Sequence, residues 1–279
     1  MRWGKCLRPS AHRVSMIRTG PAGYPEGSRS PADAVRLVRK AGLDALELRF
    51  VRNVQYDPGK AEEARLEALR SDVVLSAHAP YYINMSSSSV ATRDKSEEWV
   101  LKALQGAKDF GAWIVVVHAA SYGELGPETA THNVISSLRR IRKVAEDRSL
   151  NAIIGLETMG KKGSWGTVPE ILAVMDEVEG VCPVLDFAHL QARGPELDPE
   201  RLNGTLSLLR GVPRLHCHLS GIEYGEAGEK RHLRLGQGLD HQMVLSSLLK
   251  DGRQATVICE STAPMEDAVL IRRYLDGSM

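Results

Sequence analysis

The chain has 279 residues, and 36 lysines and arginines against 35 aspartates and glutamates leave a formal charge of +1 at pH 7. That balance excludes a polybasic nucleic-acid arm as the main source of function. Hydrophobic residues at 43% and charged residues at 25% are ordinary globular values, and the length admits one large α/β domain or two smaller ones.

No apolar run approaches the roughly 18 residues that a membrane span needs, and the opening MRWGKCLRPSAHRVSM has basic residues with no apolar stretch behind them. A soluble, cytoplasmic protein without a membrane partner is expected. Residues 1–12 read as an N-terminal extension, with Met16 an alternative start, and residues 13–279 as one domain, since no Gly/Ser-rich or Pro-rich linker divides them. Cys182, Cys217 and Cys259 sit inside aliphatic runs without CxxC spacing and read as reduced core thiols.

Short apolar runs recur along the chain: VSMIRTG from Val14, DALELRF from Asp44, VVLSAHAP from Val73, WIVVVHAA from Trp113, AIIGLET from Ala152, CPVLDFAH from Cys182, RLHCHLS from Arg214 and TVICEST from Thr256. Between them lie amphipathic stretches such as PADAVRLVRKAG from Pro31, with Pro or Ser near the start and Gly at the end, which are helix start and stop signals. Apolar strands alternating with helices imply parallel strands covered on both faces. Eight such units predict an α/β fold of the (β/α)8 TIM-barrel type, with a doubly wound open sheet as the alternative.

In such a barrel the functional side chains gather at the C-terminal ends of the strands. The third run ends at His78, the fourth at His118, the fifth at Glu157, the sixth at Asp186 with His189 three later, the seventh at His216 and His218, and the eighth at Glu260. A lone strand-end histidine is more often structural. A ring of imidazoles and carboxylates from consecutive strands is different, because several buried carboxylates do not stay ionised together without cations between them. Nitrogen and oxygen donors of this mix suit zinc, with manganese or iron possible, and the donors outnumber what one zinc uses, so two or three ions fit better. Phosphoester hydrolysis is the natural reaction class for such a cluster. Alternation turns His216 and His218 the same way, His218 nearer the mouth as a ligand and His216 deeper as a polar core residue.

At these positions the chain resembles the endonuclease IV family of apurinic/apyrimidinic endonucleases, zinc-dependent TIM barrels that cut DNA on the 5′ side of an abasic site. The pieces that carry the resemblance are HAPYYINMSS from His78, VVVHAASYG with His118, GLETMGKKGS with Glu157, LDFAHLQARG with Asp186 and His189, HLSG with His218, KRHLRLGQG with His232, and ICESTAP with Glu260. The resemblance implies that His78, His118 and Glu157 hold one zinc, that Glu157, Asp186, His218 and Glu260 hold a second, and that His189 and His232 take part in a third site. It also implies in-line attack of a metal-activated water on the phosphodiester, with Glu157 bridging the ions and Glu260 orienting or deprotonating the water. Tyr81 and Tyr82 correspond to a pair that wedges into the base stack, and Arg52 to a further DNA contact. The implied partner is abasic double-stranded DNA, and a monomer is expected.

The chain departs from that family where the motif usually reads Asp-Arg-His: here it is Lys230-Arg231-His232. An ammonium does not ligate a cation, so Glu229 substitutes, the third site is weak or absent, or Lys230 contacts phosphate. A competing resemblance is to the xylose-isomerase-like sugar isomerases and epimerases, in which Glu157, Asp186, His218 and Glu260 would hold a single Mn²⁺ or Mg²⁺ and the two glutamates would move a proton at carbon. His78, His118, His189 and His232 have no work in that reading. A metal-stabilised scaffold or damage binder without turnover is the third.

Overall fold

Eight parallel strands form one sheet in the computed structural model, whose described residues are 17–50 and 53–277. They are β1 (Ile17–Pro21), β2 (Ala45–Arg49), β3 (Val74–His78), β4 (Ile114–Val117), β5 (Ile153–Glu157), β6 (Val181–Asp186), β7 (Arg214–Leu219) and β8 (Gln254–Cys259). Each overlaps a run expected from the sequence. The extension, the first residues of the Val14 run and Arg52 lie outside the described residues.

The strands neighbour one another in the order β1-β8-β7-β6-β5-β4-β3-β2. β1 and β2 then meet to close the barrel: Asp44 N donates to Thr19 O at 3.1 Å, Gly23 N donates to Glu47 O at 2.9 Å, and Ala22 bridges to Glu47. This seam is tight, since a Cβ on Gly20 would lie 1.6 Å from the carbonyl oxygen of Ala45. Glycine is required at Gly20 by that approach of two backbones.

Nine helices among the described residues surround the strands: α1 (Pro31–Lys40), α2 (Pro58–Ser71), α3 (Val90–Phe110), α4 (Pro127–Asp147), α5 (Val168–Glu177), α6 (Phe187–Arg193), α7 (Pro199–Leu208), α8 (His241–Asp251) and α9 (Pro264–Leu275). Their starts follow local chemistry. Ser30 accepts from Asp33 N ahead of α1, and Thr167 and Glu170 form a reciprocal cap on α5. No described helix is long and apolar enough to cross a membrane.

Both faces of the strands are buried, which is why they read as unbroken apolar runs. On β4, Val115 and Val117 join the main core, whereas Ile114 and Val116 pack with Cys182 and Val184 in a separate cluster. Gly155 makes room there, since a Cβ on it would meet Val184 and Ile114. The thiols of Cys182, Cys217 and Cys259 are buried, and burial pushes each up to about 12, as inert core groups require.

Two small antiparallel pairs were not expected from the sequence. Ala120–Ser121 pairs with Ser164–Trp165, and Gly221–Gly225 pairs with Gly228–Leu233 as a hairpin. Residues of both pairs line the cavity at the mouth of the barrel.

Candidate metal centre

A cavity of about 560 Å³ opens among the loops that follow the strands, lined among others by Arg49, Tyr81, His118, Lys161, Glu229 and Glu260. His78, Glu157 and Asp186 end their strands, His118 and Glu260 follow β4 and β8 directly, and His218 is the last residue but one of β7. Period-2 alternation and strand ends thus aim six side chains at one place.

Glu157 is at the centre. Its Oε2 lies 2.7 Å from His118 Nε2 and 3.2 Å from His78 Nε2, and its Oε1 lies 3.1 Å from His218 Nδ1. The two oxygens of one carboxylate therefore face two different groups, His78–His118–Glu157 and Glu157–Asp186–His218–Glu260. A third group, Asp186–His189–His232, adjoins them. Every residue read from the sequence as a metal ligand falls into one of these three.

Local hydrogen bonds prepare the donors. Asp186 caps α6: its Oδ1 accepts from His189 N at 2.8 Å, while its Oδ2 is buried with no hydrogen-bond partner. His78 Nδ1 donates to Ala79 O at 2.8 Å and His189 Nδ1 donates to Thr158 O at 2.8 Å. A carbonyl only accepts, so Nδ1 carries a proton in each ring, and when the ring is neutral its Nε2 presents the lone pair. His232 Nδ1 likewise lies 3.1 Å from Ser220 Oγ, whose own proton goes to Gly221 O. The Nε2 atoms of His189 and His232 then face each other at 3.2 Å, and with both rings neutral these are two lone pairs that a shared cation would accept. Together with the unpartnered Asp186 oxygen, this donor set fits divalent ions.

The hairpin sets where Glu229 and Lys230 point. Glu223 pairs with Arg231 and Tyr224 with Glu229, so the register shifts and Lys230 bulges out of the ladder. The shift puts Glu229 and His232, three apart, on one face. Glu229 Oε2 lies 3.2 Å from His189 Nε2, whereas the Lys230 ammonium is exposed and lies 3.7 Å from Glu223. Glu229 thus turns inward and Lys230 turns away.

Charge follows geometry. Burial opposes ionisation of Glu157, but the imidazoles of His118 and His218 outweigh it and hold the carboxyl well below its usual range. Burial alone dominates at Asp186, whose carboxyl is raised. At His189 and His218 burial favours the neutral ring, yet the surrounding carboxylates hold both well above the usual imidazole value. Glu229 is brought down to about 2, His189 outweighing its burial.

Tyr81 roofs the first group, its ring centroid 5.3 Å from that of His78 and 5.2 Å from that of His118. Its hydroxyl accepts from Arg49 Nη2 at 2.8 Å. Tyr82 stands freer, 64% exposed against 40% for Tyr81. Arg49, Lys161 and the buried Glu47 were not singled out from the sequence. Glu47 had a signal, an acid inside an apolar strand at an inward-facing position; the two cations had none beyond their nearness to strand ends. Arg193 fixes the loop that carries Lys161 by donating to the carbonyls of Lys161 at 2.8 Å and Ser164 at 2.6 Å.

Among solved structures the chain is similar to a D-tagatose 3-epimerase-like protein, at 22% identity and a TM-score of 0.70 over 94% of this chain and 98% of that one. It is comparably similar to endonuclease IV from Thermus thermophilus, at 21% identity and a TM-score of 0.69 over 93% and 99%. By sequence it is 32% identical over 272 residues to an uncharacterised protein of Methanocaldococcus jannaschii, covering 94% of this chain and 98% of that protein. It is 25% identical over 256 residues to a probable endonuclease 4 of Mycobacterium tuberculosis, covering 89% and 97%. The family model described as xylose isomerase-like TIM barrel matches residues 35–275, and the chain belongs to that family.

Proposed function

We propose that this protein is a divalent-metal-dependent phosphodiesterase that cuts DNA at abasic sites. The observation that carries the reading is the shared carboxylate: Glu157 turns one oxygen to His78 and His118 and the other to His218, the arrangement by which one acid serves two ions. A single-ion reaction needs only Glu157, Asp186, His218 and Glu260, and gives the four remaining histidines nothing to do.

The His78–His118–Glu157 and Glu157–Asp186–His218–Glu260 groups would hold divalent ions, with zinc the best match to the donors, which would lower the pKa of a water and offset charge on a phosphoryl group. The chain's own residues do the rest. Glu260, between His218 and the cavity, orients a water and takes its proton; its Oε2 lies 3.4 Å from His218 Nδ1. Arg49 and Lys161 meet the phosphate charge from the cavity wall. Tyr81 excludes water above His78 and His118, and the exposed Tyr82 supplies a surface against which an unstacked base can lie.

A second reading is favoured by the completeness of the Glu157–Asp186–His218–Glu260 quartet by itself and by a cavity of the size that takes a small molecule. In it the protein is a sugar epimerase or isomerase using one ion. Nicking of an abasic duplex oligonucleotide and epimerisation of ketoses, run on the same zinc-loaded preparation with elemental analysis, separate the two. Nicking with two or more ions per chain is expected; one ion per chain with epimerisation and no nicking would overturn the proposal.

A further inference from the structure

Beneath the cluster lies a second polar layer, one rung deeper in the barrel. Glu47 on β2, Ser76 on β3 and His216 on β7 are all fully buried. Glu47 and Ser76 are register partners on adjacent strands, so alternation sends both side chains to the interior. Glu47 Oε2 accepts from Ser76 Oγ at 2.8 Å and from His216 Nε2 at 3.0 Å.

The other oxygen of Glu47 points up at the metal centre. Glu47 Oε1 and His218 Nε2 face each other at 3.1 Å, and neither makes a hydrogen bond, with the other or with any further group. Leaving both unsatisfied at full burial is costly, and at this separation a proton on Nε2 of the His218 ring is the condition for the two atoms to pair. A neutral imidazole carries one proton. His218 Nδ1, which lies 3.1 Å from Glu157 Oε1 and 3.4 Å from Glu260 Oε2, then presents a lone pair to the quartet.

We propose that Glu47 is a positioning residue of the metal centre: it holds the Nε2 proton of His218 and so fixes the tautomer and ring orientation that lets Nδ1 bind an ion. Ser76 and His216 hold Glu47 in turn. The inference rests on the quartet holding a divalent ion, which both functional readings share. It differs from them in assigning work to an acid that touches neither ion nor substrate. Carboxylates behind metal-binding histidines typically change metal affinity by about 10- to 100-fold when removed.

The test uses the full chain loaded with zinc. Long-range proton–nitrogen NMR is expected to show the His218 proton on Nε2, and competition titration of Glu47→Gln is expected to show one zinc bound about 10- to 100-fold more weakly, the others unchanged. Ser76→Ala, which keeps the carboxylate, is expected to lose less. A proton on Nδ1 of His218 in the wild-type protein overturns the proposal even if Glu47→Gln does not fold. Unchanged zinc affinity in folded Glu47→Gln overturns it too, as does anomalous density for an ion between Glu47, His216 and His218. Retention of every zinc by His218→Ala would instead remove the ligand reading on which the proposal rests.

Discussion

His189 and Glu229 meet across the mouth of the barrel, ring nitrogen to carboxylate oxygen at 3.2 Å, although one follows β6 and the other sits on the outer hairpin. The contact exists because Lys230 is squeezed out of the hairpin ladder. Glu229→Gln is therefore expected to weaken or lose one ion, by about 10- to 100-fold in affinity, as read by elemental analysis after dialysis. Lys230→Asp is expected to leave the ion count unchanged, since that side chain points outward. A gain of one ion in Lys230→Asp would show that Glu229 is no substitute.

The response to pH changes sign with ions. In the chain without ions, His78, His189 and His218 are held above the usual 6.5. Groups raised in this way stabilise fully below that value, and the contribution is lost as pH rises through their raised values. Glu47 and Glu157, held well below 4.5, stabilise above that value, and the contribution is lost as pH falls through their lowered values. Ions need the rings unprotonated, so zinc binding strengthens as pH rises. The rise in Tm caused by zinc should be larger at about pH 8 than at about pH 6; equal rises by calorimetry would contradict the assignment of these histidines as donors.

At the barrel seam, Gly20→Ala places a Cβ against the Ala45 carbonyl. The strands must part, and a loss of about 3 kcal/mol or more is expected from denaturant melts, in the range of severe core overpacking. Gly27→Ala, with nothing near the added carbon, serves as the comparison for a left-handed glycine in open space.

Tyr82 has no packing role to lose at 64% exposure. Tyr82→Ala is expected to leave stability within about 0.5 kcal/mol, while an abasic duplex binds more weakly by fluorescence anisotropy. Equal affinity for abasic and intact duplexes in the wild-type protein would remove the wedge role altogether.

How much of this could be read from residue order is clearest at Glu157 and Glu229. The strands announce themselves because both faces are buried, and Glu157 announces itself as an acid ending such a strand. Glu229 does not, because a single bulged residue reverses which side chains face inward, and no local pattern marks it. Glu47 falls between these cases: its inward direction follows from alternation, but its worth depends on His218, which β7 brings from far along the chain, a partner only closure of the barrel supplies. Arg49 joins the cavity through Tyr81, again a contact between residues that different strands bring together.

The first strand has a further consequence for how the chain is made. β1 pairs along its length with β8, from Ile17 with Ala255 to Pro21 with Cys259, and touches β2 mainly at the Gly20 seam. A ribosome therefore delivers β1 first and its principal partner last. Until the final strand emerges, the earliest part of the barrel keeps an open edge, and the Glu47–His218 pair beneath the mouth is sealed only when that edge is covered.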